Sequence, residues 1–182
     1  MGTGINLGDV GGTLFCRARL RSIVNEIAVS RELNQPPEVV FDTVRDFQAY
    51  PRYSKYLQSV SATAETQVTE YAFQFGWWKL AYETQARVTA CEPPHTIDWT
   101  ITQDLEADGR WVVEERSDGS QLHFQVAYDP DSLGSDAVSL PFGVSLDWVR
   151  DRATALIESE AKRVLDRIVA EVDGRPTRDK VE

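Results

Sequence analysis

Any chemistry in this chain would have to come from a small set of side chains: the adjacent carboxylates Glu114 and Glu115, the histidines His95 and His123, and the cysteines Cys16 and Cys91. A carboxylate enclosed by apolar groups is pushed toward neutral pKa by desolvation and can then act as a general acid or base. In an extended segment Glu114 and Glu115 face opposite ways, and Glu115 shares its face with Trp111 and Val113. That makes Glu115 the candidate for an inward, catalytic carboxylate, with an outward or salt-bridged position as its plain alternative. His123 falls opposite the apolar set of its own segment and is expected to face solvent. No Cys-x-x-Cys or His-Glu-x-x-His spacing occurs, so no metal is expected. Glycines 2, 4, 8, 11 and 12 miss the GxGxxG register and follow no strand, so no nucleotide loop and no cofactor is implied. The two cysteines are expected as unpaired thiols.

The elements that would position these groups follow from hydrophobic period. Residues 23–33, IVNEIAVSREL, read as a first strand that stops at Asn34-Gln35-Pro36-Pro37. Proline in a first helical turn and Glu38 near a positive dipole end then suit a helix carrying Val39, Val40, Val44 and Phe47. It should end near Ala49, because the residue before Pro51 is pushed out of the α region, and a second short helix is expected through Tyr53 and Leu57.

From Ser59 the period changes to two. Tyr71, Phe73 and Phe75 share one face, Gly76 permits a turn into Trp77-Trp78, and Leu80 to Ala90 alternate as a hairpin partner. Ile97, Trp99 and Ile101 mark another strand. Asp108-Gly109 and Asp118-Gly119 are turn signals around RWVVEER and QLHFQVAYD. The connections are too short for crossovers, so the meander is antiparallel. After a polar loop at 129–139, a long amphipathic helix starts near Ser145. Its stripe includes Leu146, Val149, Leu156, Ile157, Val164, Leu165 and Ile168, and Gly174 and Pro176 close it.

Composition narrows the partners. With 182 residues, 42% apolar and 26% charged, the chain has one domain's worth of core and needs no metal or disulfide to fold. A formal charge of −10 repels polyanions, so no direct nucleic-acid partner is expected. The acid excess with only four lysines resembles proteins of salt-adapted microbes. No run of about 18 apolar residues is present for a transmembrane segment, and residues 1–22 lack the features of a secretory signal. A cytoplasmic location is expected. Oligomeric state is left open.

The order of strand, one or two helices, antiparallel meander and C-terminal helix is that of the α+β helix-grip fold, a curved sheet wrapped around a long helix. The stretch NQPPEVVFDTVRDFQAYPRYSKYLQSVSATA, residues 34–64, resembles the opening of the polyketide cyclase and lipid-transport superfamily with START-like domains (SRPBCC). Its features are a proline and an acidic residue before Val39-Val40-Phe41, then Asp46-Phe47, then Tyr50-Pro51 leading into Tyr53. The nearest branch resembles the coenzyme-Q-binding proteins and ribosome-association toxins. The resemblance implies a flexible leader over 1–22, one START-like domain over 23–172 and a disordered tail over 173–182.

It also implies a cavity on the concave face of the sheet, whose inward aromatics set volume and polar contacts. The candidates are Tyr71, Phe73, Tyr82, Trp99, Trp111, Phe124 and Tyr128, with Phe142 on a lid-like loop and Trp148 at the start of the helix. Such a lining suits a flat, mostly apolar ligand such as a quinone, isoprenoid or polyketide. A non-catalytic carrier of a hydrophobic molecule is the first expectation. A polyketide cyclase or dehydratase using Glu115 is the second, and a module docking on a protein or ribosomal surface the third. Adjacent indoles at Trp77-Trp78 leave one free to touch a membrane surface transiently, a partner or the cavity rim, or to pack on the hairpin end.

Overall fold

Period-two alternation is realised as seven antiparallel strands, which a computed structural model describes over residues 25–62, 70–77, 80–133 and 145–174, apart from the side chains at 77, 80 and 146–154. The strands are β1 (Asn25–Leu33), β2 (Leu57–Ala62), β3 (Glu70–Trp77), β4 (Leu80–Glu92), β5 (Thr96–Ile101), β6 (Glu106–Arg116) and β7 (Gly119–Asp129). Their order is β1-β7-β6-β5-β4-β3-β2, so the meander from β2 to β7 is closed by the first strand returning beside the last. Helix α1 (Pro37–Arg45) and a 3-10 helix (Phe47–Arg52) join β1 to β2, and helix α2 (Leu146–Val172) follows a short 3-10 turn at Pro130–Ser132. This is the helix-grip fold.

The expected helix through Ala49 ends four residues earlier. Asp46 leaves the helical region at φ −80° and ψ 74°, and the chain re-forms as the tighter 3-10 helix with Pro51 inside it. The carbonyl of Val44, one of the acceptors a helix end leaves unpaired, is taken by the Tyr50 hydroxyl. A second helix through Leu57 does not form, because Leu57 already pairs with Phe75 at the start of β2.

Two of the three expected turns also move. Gly76 lies within β3 opposite Ala81, where a Cβ would come within 2.1 Å of the Gln58 amide nitrogen. Asp108-Gly109 lies inside β6, and the chain reverses instead before it, where Asp104 adopts φ 65°. Asp118-Gly119 does turn: Gly119 has φ +142°, and a Cβ there would sit 2.0 Å from the Leu33 carbonyl oxygen.

The core occupies one end of the concave face. Val40, Phe41 and Val44 of α1 pack with Leu33, Trp111, Val113 and Leu122 of the sheet and with Leu165 and Ile168 of α2. Polar contacts pin α2 at the same end. Arg31 Nε donates to Asp166 at 2.6 Å, Arg52 pairs with Glu171 at 3.1 Å, and the Asn34 amide donates to Asp173 at 3.0 Å. Gly174, at φ +65°, supplies the left-handed residue that ends the helix. The stretch of α2 from Leu156 to Leu165 faces the rest of the concave side, where the sheet is not filled.

Candidate ligand cavity

That unfilled space is a cavity of about 440 Å³ between the sheet and α2, with walls almost entirely of carbon. Strand parity places the candidates: Tyr71 and Phe73 from β3, Tyr82 from β4, Trp99 from β5, Trp111 from β6, and Phe124 and Tyr128 from β7 all line it. Phe75 joins Phe73 and Tyr82 in a stacked row with centroids 6.4 and 6.3 Å apart. Across the sheet, Phe124 lies 4.6 Å from Trp111 and 6.3 Å from Trp99. Phe142 and Trp78 lie outside the described residues, as do Cys16 and the side chain of Trp148.

Glu115 takes the outward alternative. It has the parity of Trp111 and Val113, but it sits past the covered part of the sheet, opposite Ser120 beside the hairpin turn, and is exposed. The Ser120 hydroxyl is used there to donate to the Gln35 carbonyl at 2.8 Å, so the chain after β1 closes that end of the concave face. Glu115 does not line the cavity. Glu114 lies on the convex side, with Arg116 and His123 Nε2 each 3.5 Å away. His123 is accordingly on the outer face, half-buried instead of fully solvated. Cys91 is a free, exposed thiol, and no group of metal-ligating side chains occurs among the described residues.

Among the described residues, the carboxylate that lines the cavity is Glu160, on the inner face of α2. Its Oε1 accepts from the Ser54 hydroxyl at 3.0 Å, the Lys55 backbone N–H at 3.3 Å and Arg167 Nη1 at 3.5 Å. Arg167 also donates to the Tyr53 carbonyl. The network ties α2 to the segment leading into β2. Glu160 was discernible as an acid at helical spacing from Ile157, Val164 and Ile168, an interruption of the apolar stripe.

Three donors in the wall, the Tyr82 and Tyr128 hydroxyls and the Trp99 indole N–H, are closed to solvent and have no hydrogen-bond partner among the described residues. Burial pushes the Tyr82 phenol up, opposed by the Thr84 hydroxyl, which itself donates to the Gln103 carbonyl at 3.0 Å. Tyr50 is raised well above the usual tyrosine value, first by burial and then by Tyr53 and Asp46. Tyr53 and Tyr71 are raised chiefly by burial as well.

These phenols hold their protons to higher pH folded than unfolded, so their contribution is complete below about pH 10 and is lost as pH climbs through the raised values. Melting temperature is therefore expected to fall above about pH 10 in step with tyrosinate absorbance. Tyrosines that ionise freely at their ordinary value, with the fold intact, would contradict this.

The chain is thus a START-like, helix-grip domain with an apolar internal cavity. It belongs to the polyketide cyclase / dehydrase and lipid transport family, whose match runs over residues 25–173. Family membership implies binding of a hydrophobic small molecule. Among solved structures it is similar to the di-domain aromatase/cyclase StfQ from the steffimycin biosynthetic pathway, at 12% identity and a TM-score of 0.63 over 83% of this chain. It spans about half of that protein, 51% of its length. The Zhui aromatase/cyclase from a Streptomyces species is similar at 11% identity and a TM-score of 0.63, covering 82% of this chain and 94% of that one. Ara h 8.0201 is similar at 17% identity and a TM-score of 0.58, covering 82% and 97%. No curated protein matches in sequence. No helix among the described residues is long and apolar enough to cross a membrane.

Proposed function

We propose that this protein binds and carries a hydrophobic small molecule, such as an isoprenoid, a quinone or another largely hydrocarbon compound, without transforming it. The observation that carries the reading is the wall itself, almost all carbon around about 440 Å³. At about 0.8 kcal/mol for each methylene removed from water, ten buried groups contribute about 8 kcal/mol before association costs.

The same wall weighs against a cyclase acting on a chain of many carbonyls. Each carbonyl buried without a donor costs about 1–3 kcal/mol, so a handful would cancel the apolar gain. Among the described residues, the buried donors in the wall that lack a partner are three, and the lining carboxylate Glu160 already accepts three hydrogen bonds on Oε1.

The test is native mass spectrometry with organic extraction on protein purified from its own cells, beside the same protein refolded without lipid. An apolar molecule near one equivalent, lost on refolding and regained on mixing, is the expected result. Protein that is consistently empty and takes up nothing would overturn the carrier reading in favour of a transient substrate.

A further inference from the structure

Glu160 has a feature that the helix tether does not use. Its residue is 8% exposed, and while Oε1 takes three donors, Oε2 has no hydrogen-bond partner among the described residues. The nearest cation on that side, Arg163 Nη1, stands at 3.6 Å, beyond hydrogen-bond reach, on a side chain that is 47% exposed. A buried carboxylate oxygen left without a hydrogen bond is costly, more so than such a hydroxyl, which can rotate toward another acceptor. Ser54, a donor to this carboxylate, lines the cavity with it.

We propose that Glu160 Oε2 is the docking point for a hydrogen-bond donor on the bound molecule: a hydroxyl, a phenol or an ammonium group on an otherwise apolar body. The proposal rests on the carrier reading and narrows it to ligands with one donor end. Glu160 lines the wall, but Oε2 has no solvent-accessible surface, so a donor reaches it once the side chains over it give way. The bond then forms away from water, where a charged acceptor discriminates strongly between ligands with and without the donor. Arg167 is engaged on Oε1 and the Tyr53 carbonyl, and Arg163 gives Oε2 a partly exposed ion pair at 3.6 Å without a hydrogen bond, which a ligand donor would supply.

The experiment uses the full chain and three probes of one shape: biphenyl, 4-hydroxybiphenyl and 4-methoxybiphenyl. Only the second has a donor. The wild type is expected to bind 4-hydroxybiphenyl at least about tenfold more tightly than the other two, the scale of a hydrogen bond to a charged group. In Glu160→Gln that preference, read as the ratio to biphenyl in the same variant, should shrink to within about threefold, since a neutral amide is a weaker acceptor. Glu158→Gln, at an exposed position of the same helix paired with Lys162, should keep the full preference.

Equal binding of all three probes by the wild type would overturn the proposal even if Glu160→Gln fails to fold. A preference that survives Glu160→Gln, or disappears in Glu158→Gln, would overturn it too. Failure of biphenyl itself to bind the wild type would instead remove the cavity reading on which the proposal stands.

Discussion

Ala86→Trp is expected to weaken binding of apolar ligands roughly a hundredfold while leaving the protein folded. Ala86 sits in the middle of β4, between Tyr71 on β3 and Ile101 on β5, and its small side chain faces the cavity. An indole built there enters space that a ligand would use. Displacing about four methylene-sized groups at about 0.8 kcal/mol each removes about 3 kcal/mol, a loss of roughly a hundredfold in affinity. The ring fills a void instead of crowding packed neighbours, so unfolding free energy should change by no more than about 1–2 kcal/mol. Titration with biphenyl beside urea unfolding measures both. Undiminished affinity in a folded variant would place the ligand elsewhere and remove the cavity from the function.

The aromatic wall was legible in the sequence because strand parity is a strong signal when one face is covered. Tyr71 and Phe73 point where Trp99 and Phe124 point, and one register links them: Phe73 lies opposite Thr84 on β4, and Trp99 lies opposite Gly109 on β6. Turn chemistry was a weaker guide. Asp-Gly at 118–119 makes a hairpin, whereas Asp-Gly at 108–109 lies inside a strand, and the dipeptide alone does not separate a glycine needed for positive φ from one needed for space.

The polar part of the site was harder to read. Glu115 has the right parity, but parity says nothing about where along a strand the covering helix stops. Glu160 lies on an element read for its apolar stripe, and its partners Ser54 and Lys55 are more than a hundred residues away in the chain. Only the packing of α2 against the segment before β2 brings them together. A single acid within an apolar helix face was the available signal, and an isolated acid at such a position is as consistent with the helix rim as with its centre.

Gly109 is where the wall and the sheet depend on each other most directly, and Gly109→Ala should show it. The residue is buried in β6 opposite Trp99, and a Cβ there would meet three indole atoms at 2.0, 2.3 and 2.5 Å. Glycine in a strand ordinarily costs about 0.5–1 kcal/mol relative to alanine, so its presence is offset by the ring lying over the bare backbone. Adding one methyl forces the indole off Gly109 and disturbs its stacking on Phe124, at a cost of about 1–3 kcal/mol in unfolding free energy, with a shift in tryptophan emission. In a Trp99→Ala background the indole atoms that the methyl meets first are gone. There Gly109→Ala should be neutral or stabilising by up to about 1 kcal/mol. Urea unfolding of the four proteins gives the coupling, and strictly additive costs would mean that the indole does not rest on Gly109 in solution.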